Sequence, residues 1–169
     1  MTDVETVLLL ELLQWYRLQR HDFLNHCQVI MGNIQLNQPE KALAYMREML
    51  SVPEQEQKIA QISQPHLTAI LLSFIIRLRQ GGIKATLDFP EEMKQEAFWQ
   101  DHWRKDYADA LYGYTRECLE VSSRSIQLKD LDAEIILYDE LGGLSCQFIL
   151  LDEENVLFDR MAKFMIDPR

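Results

Sequence analysis

The stretch Arg20-His21-Asp22-Phe23-Leu24-Asn25-His26-Cys27-Gln28-Val29-Ile30-Met31-Gly32 decides how the front of this chain is built. Around and through it, Leu13, Tyr16, Phe23, Cys27, Ile30 and Ile34 recur at helical spacing, the signature of one apolar helix face packed against other helices. No Pro or Gly interrupts Thr2 to Met31, so one long amphipathic helix is expected. His21 falls about 100° round from the apolar stripe. Its neighbours one and two turns away, Gln14, Leu18, Asn25 and Gln28, are mostly polar, so the ring is expected to face solvent. Arg17 lies one turn before it and Arg20 beside it, and their planar forked donors match the oxygens of a phosphate. Asp22 follows at once, suited to hydrogen-bond one ring nitrogen, fix the tautomer and sharpen the nucleophilicity of the other. An imidazole displayed this way can carry a phosphoryl group. The competing reading is an ordinary surface histidine. His21 and His26, five residues apart, project from different sides of the helix and do not share a metal ion, and Cys27 reads as core.

Composition narrows the classes open to the chain. Its 169 residues make one or two small domains with a real core. The net charge is −10, the pI is about 4.8, and no basic cluster exceeds a couple of residues, which argues against nucleic acid as a partner. The N-terminus, Met1-Thr2-Asp3-Val4-Glu5, is acidic, unlike a secretory signal. The most apolar run, Leu67 to Leu78, is too short for a bilayer, which needs about 20 apolar residues, so no membrane partner is expected. Cys27, Cys118 and Cys146 show neither metal spacing nor an even-numbered framework, and a reducing cytoplasm fits them best.

Beyond the first helix, Asn37-Gln38-Pro39 predicts a turn into a second helix whose apolar face is Ala42, Tyr45, Met46 and Met49. Pro53 interrupts it, and a further helical piece runs to about Ile62. A two-helix hairpin cannot bury its stripe alone, whereas two copies form a four-helix bundle, so a homodimer is expected. A bundle partner from later helices of the same chain is the alternative. Ser63-Gln64-Pro65 then predicts a helix that stops at Gly81-Gly82. Ile83, Ala85, Leu87 and Phe89 alternate with polar residues as a strand. After Pro90 a long helix with Trp99, Trp103, Tyr107, Leu111, Tyr114, Cys118 and Val121 on its core face is expected. Strands near 126–129, 134–139 and 144–151 follow, and 153–165 reads as a short terminal helix. The class is α+β: a helical hairpin at 1–62 and an α/β sandwich at 63–169, with helices on one face of a sheet.

The segment RHDFLNHCQVIMG at 20–32, with Asn33-Ile34-Gln35-Leu36 and Pro39-Glu40-Lys41-Ala42-Leu43-Ala44-Tyr45-Met46, closely resembles the phosphoacceptor hairpin of the sporulation initiation phosphotransferase B family. Its R-H-D-[FW]-x-N signature is also similar to the dimerisation hairpin of citrate- and fumarate-sensing histidine kinases. The resemblance implies that His21 is phosphorylated, with Asp22, Arg20 and Arg17 serving it. Gln14, Leu18, Asn25, Gln28 and Gly32 would then form the row that a response-regulator receiver domain touches. It implies a histidine phosphotransferase that moves a phosphoryl group from one receiver aspartate to another through His21, with control of sporulation initiation as the output. Any Mg²⁺ would come with the receiver, with no intrinsic cofactor.

The order of helices and strands behind the hairpin looks like a trimmed histidine-kinase ATP-binding domain. Such domains use an Asn on the long helix for Mg²⁺, an Asp-x-Gly-x-Gly loop for adenine and a second glycine-rich loop over the phosphates. Here no Asn occurs between Asn37 and Asn155, and Asp139-Glu140-Leu141-Gly142-Gly143 keeps only the Asp and the last Gly. Bulky Leu141 stands where close approach to a ligand is needed, and no later Gly exists. Gly142-Gly143 reads more simply as a hairpin turn. The expectation is a degenerate domain without ATP chemistry. Two other classes stay open: a sensor-kinase fragment that uses ATP, and a non-catalytic module that binds receivers.

Overall fold

The computed structural model describes residues 3–50, 54–125, 130–153 and 155–165. The long first helix forms as α1, Val4–Gln35. It stops where Asn37 adopts φ 57°, a left-handed conformation that Asn tolerates, and Pro39 then opens α2, Pro39–Met49. The two helices pack as a hairpin, with Ala42 buried between them and the Tyr45 hydroxyl 2.7 Å from His26 Nδ1. Pro53 lies outside the described residues; α3, Glu54–Ile59, resumes after it.

The next helix, α4, spans Pro65–Gln80. The Gln64 side chain accepts from the amides of His66 at 2.7 Å and Leu67 at 3.3 Å, satisfying donors that a helix start leaves open. Gly82, at φ 76°, lets the chain reverse into β1, Lys84–Asp88.

The expected single long helix after Pro90 is three pieces: a 3-10 turn at Glu91–Lys94, α5 at Glu96–His102 and α6 at Asp106–Arg124. Trp103 between them is extended, at φ −123° and ψ 135°. The period of four linking Trp99, Trp103 and Tyr107 survives the break because the rings stack edge to face along the core, at centroid separations of 6.1 and 5.9 Å.

Three long strands complete the chain: β2, Leu131–Glu140; β3, Gly143–Asp152; and β4, Asn155–Met165. The sheet order is β1-β2-β3-β4, with β1 parallel to β2 and the other pairs antiparallel. The strand expected at 126–129 falls outside the described residues. The terminal helix expected at 153–165 is instead β4, paired along its length with β3. Its Leu157, Phe158, Met161, Ala162 and Met165 imitate a helical stripe, and a bulge at Leu150/Leu151 disturbs the alternation that marks a strand. The open backbone edge of β3 needs partners, and β4 supplies them.

Helices α4 and α6 cover the inner face of the sheet. Leu87, Ile135 and Phe148 form a buried row across three strands, and Phe74 of α4 meets Phe148 edge to face at 5.7 Å. Leu8 of α1, Ile59 and Ile62 join the same buried cluster, so the first turns of α1 pack on α4 and α6 while the rest of the helix, with α2, projects beyond them.

Candidate functional site

His21 sits on the projecting part of α1 with 73% of its side chain exposed. Both of its polar neighbours gather at one ring atom: Asn25 Nδ2 donates to Nδ1 at 3.2 Å, and Asp22 Oδ1 lies 3.5 Å from the same nitrogen. A half-turn of the Asn25 amide brings its oxygen to that nitrogen instead, so Asn25 can serve either tautomer of the ring. Nε2 meets no hydrogen-bonding partner among the described residues and points to solvent. Arg17 and Arg20 are exposed on the same stretch, and no carboxylate among the described residues is paired with either.

Of the row read from the sequence, Gln14, Leu18, Asn25 and Gln28 are exposed and Gly32 is half-buried. A Cβ placed on Gly32 would meet nothing within 4 Å. Gln14 and Leu18 also border a crevice of about 560 Å³ between α1 and the α4–α6 layer, together with Trp15, Arg77 and Gln80. A second crevice of about 460 Å³ continues towards the histidine, lined by Trp15, Leu18, Asp22, His26, Arg79 and Gln80.

The apolar stripe divides between two fates. Cys27 and Ile30 are half-buried in the hairpin, whereas Leu13, Tyr16, Phe23 and Ile34 lie open on the single chain, Phe23 at 59%. Leu9, Leu10, Leu24, Met31 and Leu43 add to this exposed apolar surface.

Glu11 was not legible as a special residue from sequence. Its carboxylate accepts from Ser73 Oγ at 2.6 Å, from the Tyr112 hydroxyl at 3.0 Å and from the Arg77 guanidinium, which ties α1 to α4 and α6. Burial, and then the bond to Glu11, hold the Tyr112 phenol above its ordinary pKa. Nearer the start of α1, Glu5 lies 3.1 Å from His66 Nε2 and 3.3 Å from Lys105 Nζ. The Lys105 and then the His66 hydrogen bond hold its carboxyl below the ordinary range. No local pattern announces either cluster, because each joins residues at least 60 positions apart.

The residues weighed for a kinase-like nucleotide loop are otherwise engaged. Asp139 pairs with His102 Nε2 at 3.3 Å, and Leu141-Gly142 is the two-residue turn between β2 and β3, with Leu141 fully exposed and Gly142 at φ 79°. On α6 the Tyr114 ring is covered by the Arg160 guanidinium of β4 at 5.1 Å. Among the described residues, no group of three or more His, Cys, Asp or Glu is arranged to hold a metal ion. No described helix is long and apolar enough to cross a membrane.

This geometry meets an independent finding. Residues 1–62 match the family model of the sensor kinase SpoOB-type, alpha-helical domain. The match covers α1, α2 and α3, and so includes His21 and its neighbours. The chain is also 31% identical over 70 residues to sporulation initiation phosphotransferase B of Bacillus subtilis (strain 168). That alignment takes in 41% of this chain and 36% of the relative, so it spans about a third of the relative's length. The likeness to the SpoOB-type hairpin expected from RHDFLNHCQVIMG is therefore present, and the chain is similar to a protein named as a phosphotransferase of sporulation.

Proposed function

We propose that the chain is a histidine phosphotransferase of a two-component phosphorelay, with His21 as the phosphoryl carrier. The observation that carries this reading is the isolation of Nε2: the two polar neighbours of the ring both lie at Nδ1, leaving one nitrogen free in solvent. In the reactive tautomer Nδ1 bears the proton and donates a hydrogen bond to Asp22 and to the Asn25 amide, turned to offer its oxygen. The Nε2 lone pair then attacks the phosphorus of a receiver's aspartyl phosphate in line. The N–P bond forms as the P–O bond to aspartate breaks, and the carboxylate leaves with the electron pair. The ring becomes cationic while Nδ1 keeps its proton, and the Asp22 charge opposes the positive charge. Attack by a second receiver's aspartate reverses these steps. Arg17 and Arg20 steady the phosphoryl oxygens, and Mg²⁺ belongs to the receiver.

Receiver domains as donor and acceptor, a homodimer through the exposed stripe, and a cytoplasmic setting without nucleic acid or membrane belong to this proposal. The division into a phosphoacceptor hairpin at 1–62 and a degenerate kinase-like remainder at 63–169 is part of it as well. A carrier is favoured over an ATP-using kinase because Asp139 is paired with His102, no Asn stands on α6, and Leu141-Gly142 closes a tight turn where a ligand loop would be needed. The test is relay itself: phosphate taken from one labelled receiver should pass to a second, unphosphorylated receiver only when the chain is present. Receiver binding with no uptake would leave a non-catalytic receiver-binding module, and uptake with no onward transfer would leave a terminal acceptor rather than a carrier.

A further inference from the structure

We propose that Glu11 is a positioning residue for this site, a latch that fixes the C-terminal layer with respect to His21; the proposal rests on the phosphotransfer reading above. Helix α1 runs without interruption from the contact with α4 and α6 into the hairpin, so whatever fixes its first turns fixes the histidine. His21 lies ten residues after Glu11, about 15 Å along the helix axis. Glu11 is the one side chain of α1 that bonds three groups of the C-terminal layer, among the described residues. Two of these groups, Ser73 and Arg77, lie one turn apart on α4, and the third, Tyr112, lies on α6. One carboxylate therefore restrains rotation and sliding of α1 against two helices at once.

The latch is charged and largely buried, with 14% of the Glu11 side chain exposed, so its geometry is exacting in a way that the apolar contact of Leu8 is not. The two crevices beside it leave room for α1 to tilt: no packed side chains fill the space between Trp15, Leu18 and Arg79-Gln80. Without the latch, α1 would sample several tilts, and only some would leave His21 open to a receiver. The expected signature is a binding effect. The receiver concentration for half-maximal phosphate uptake should rise as the competent fraction falls, by roughly three- to tenfold, with the limiting rate unchanged because a docked receiver selects the open arrangement.

The test combines a distance and a rate. Spin labels on Glu40→Cys in α2 and Thr86→Cys in β1, in a Cys27→Ser background diluted with unlabelled chain, report the hairpin-to-sheet distance. The wild-type Glu11 distribution should be narrow and that of Glu11→Ala broad, with Glu11→Gln restoring most of the narrow form because its amide still accepts from Arg77 and Tyr112. A narrow distribution in folded Glu11→Ala overturns the latch, as does a lower limiting rate with unchanged half-saturation. If Glu11→Ala does not fold, the Ser73→Ala/Tyr112→Phe pair removes two of the three donors and is judged by the same two outcomes. Failure of the underlying reading looks different: the wild-type chain would take no phosphate at all, while the distance measurement would still decide the latch.

Discussion

Asn25 Nδ2 stands 3.2 Å from His21 Nδ1, one helical turn further along α1, while Nε2 is open. In the reactive Nδ1–H tautomer that amide is turned about, and its oxygen shares the task of accepting from Nδ1 with Asp22, whose oxygen is 3.5 Å away. Asn25→Ala should slow phosphate uptake by about fivefold to tenfold, in line with the loss of about 1 kcal/mol for one hydrogen bond, with dimer and fold unchanged. Because the amide serves either tautomer, the ring-nitrogen chemical shifts should change little in the variant and the loss should appear in the rate. An uptake rate equal to that of the wild type would remove Asn25 from that role.

Phe23 is exposed on the single chain, so a charge there costs the protomer little. In a four-helix bundle of two chains the same charge would be buried without a partner, at a cost of several kcal/mol. Phe23→Asp should therefore yield a folded monomer by sedimentation, with phosphate uptake lost in parallel. A variant that stays dimeric would place the interface elsewhere.

The alkaline behaviour of the Glu11 cluster follows from Tyr112. Its folded pKa is raised above the ordinary 10.0 by burial first and the Glu11 bond second. A raised pKa means that its stabilising contribution is fully present below pH 10 and is lost as pH climbs from 10 through the folded value. The melting-temperature gap between wild type and Tyr112→Phe should be constant from pH 8 to about 9.5 and shrink above that. Tyr107, also raised by burial, titrates in both proteins and cancels in the comparison. A gap that widens at high pH would contradict the assignment.

Much of this molecule was readable from residues alone, and what was not has physical causes. Gln64, Pro65 and Gly81-Gly82 bracket α4 because caps and turns are local chemistry. His21 stood out because its helix face is local too. The misread β4 is an edge strand: its pairing with β3 is decided by the neighbour's open backbone, and its own apolar spacing suits a helix as well as a strand. The break at Trp103 left no trace in the sequence, since aromatic stacking preserved the period across it. Glu11 carries no local mark in the sequence; its partners Ser73, Arg77 and Tyr112 come from elements that only the tertiary fold brings near.

Nucleotide separates the carrier from the kinase. A triphosphate with Mg²⁺ would need a cation ligand and free backbone amides, whereas α6 carries no Asn, Asp139 is paired with His102, and Leu141-Gly142 closes a tight turn. Calorimetry at millimolar Mg²⁺ should show no saturable ATP binding, and ATP alone should leave His21 unlabelled. Stoichiometric magnesium-dependent labelling by ATP would promote the kinase reading.

The central claim is that His21 carries the phosphoryl group, and it is tested most directly by incubating the chain with a phosphorylated receiver domain and locating the label by mass spectrometry under alkaline conditions. The account predicts one acid-labile, alkali-stable phosphate on His21, absent from His21→Gln although that variant keeps its fold and dimer. Label that persists in His21→Gln, or a wild-type chain that takes none while binding the receiver, would contradict it.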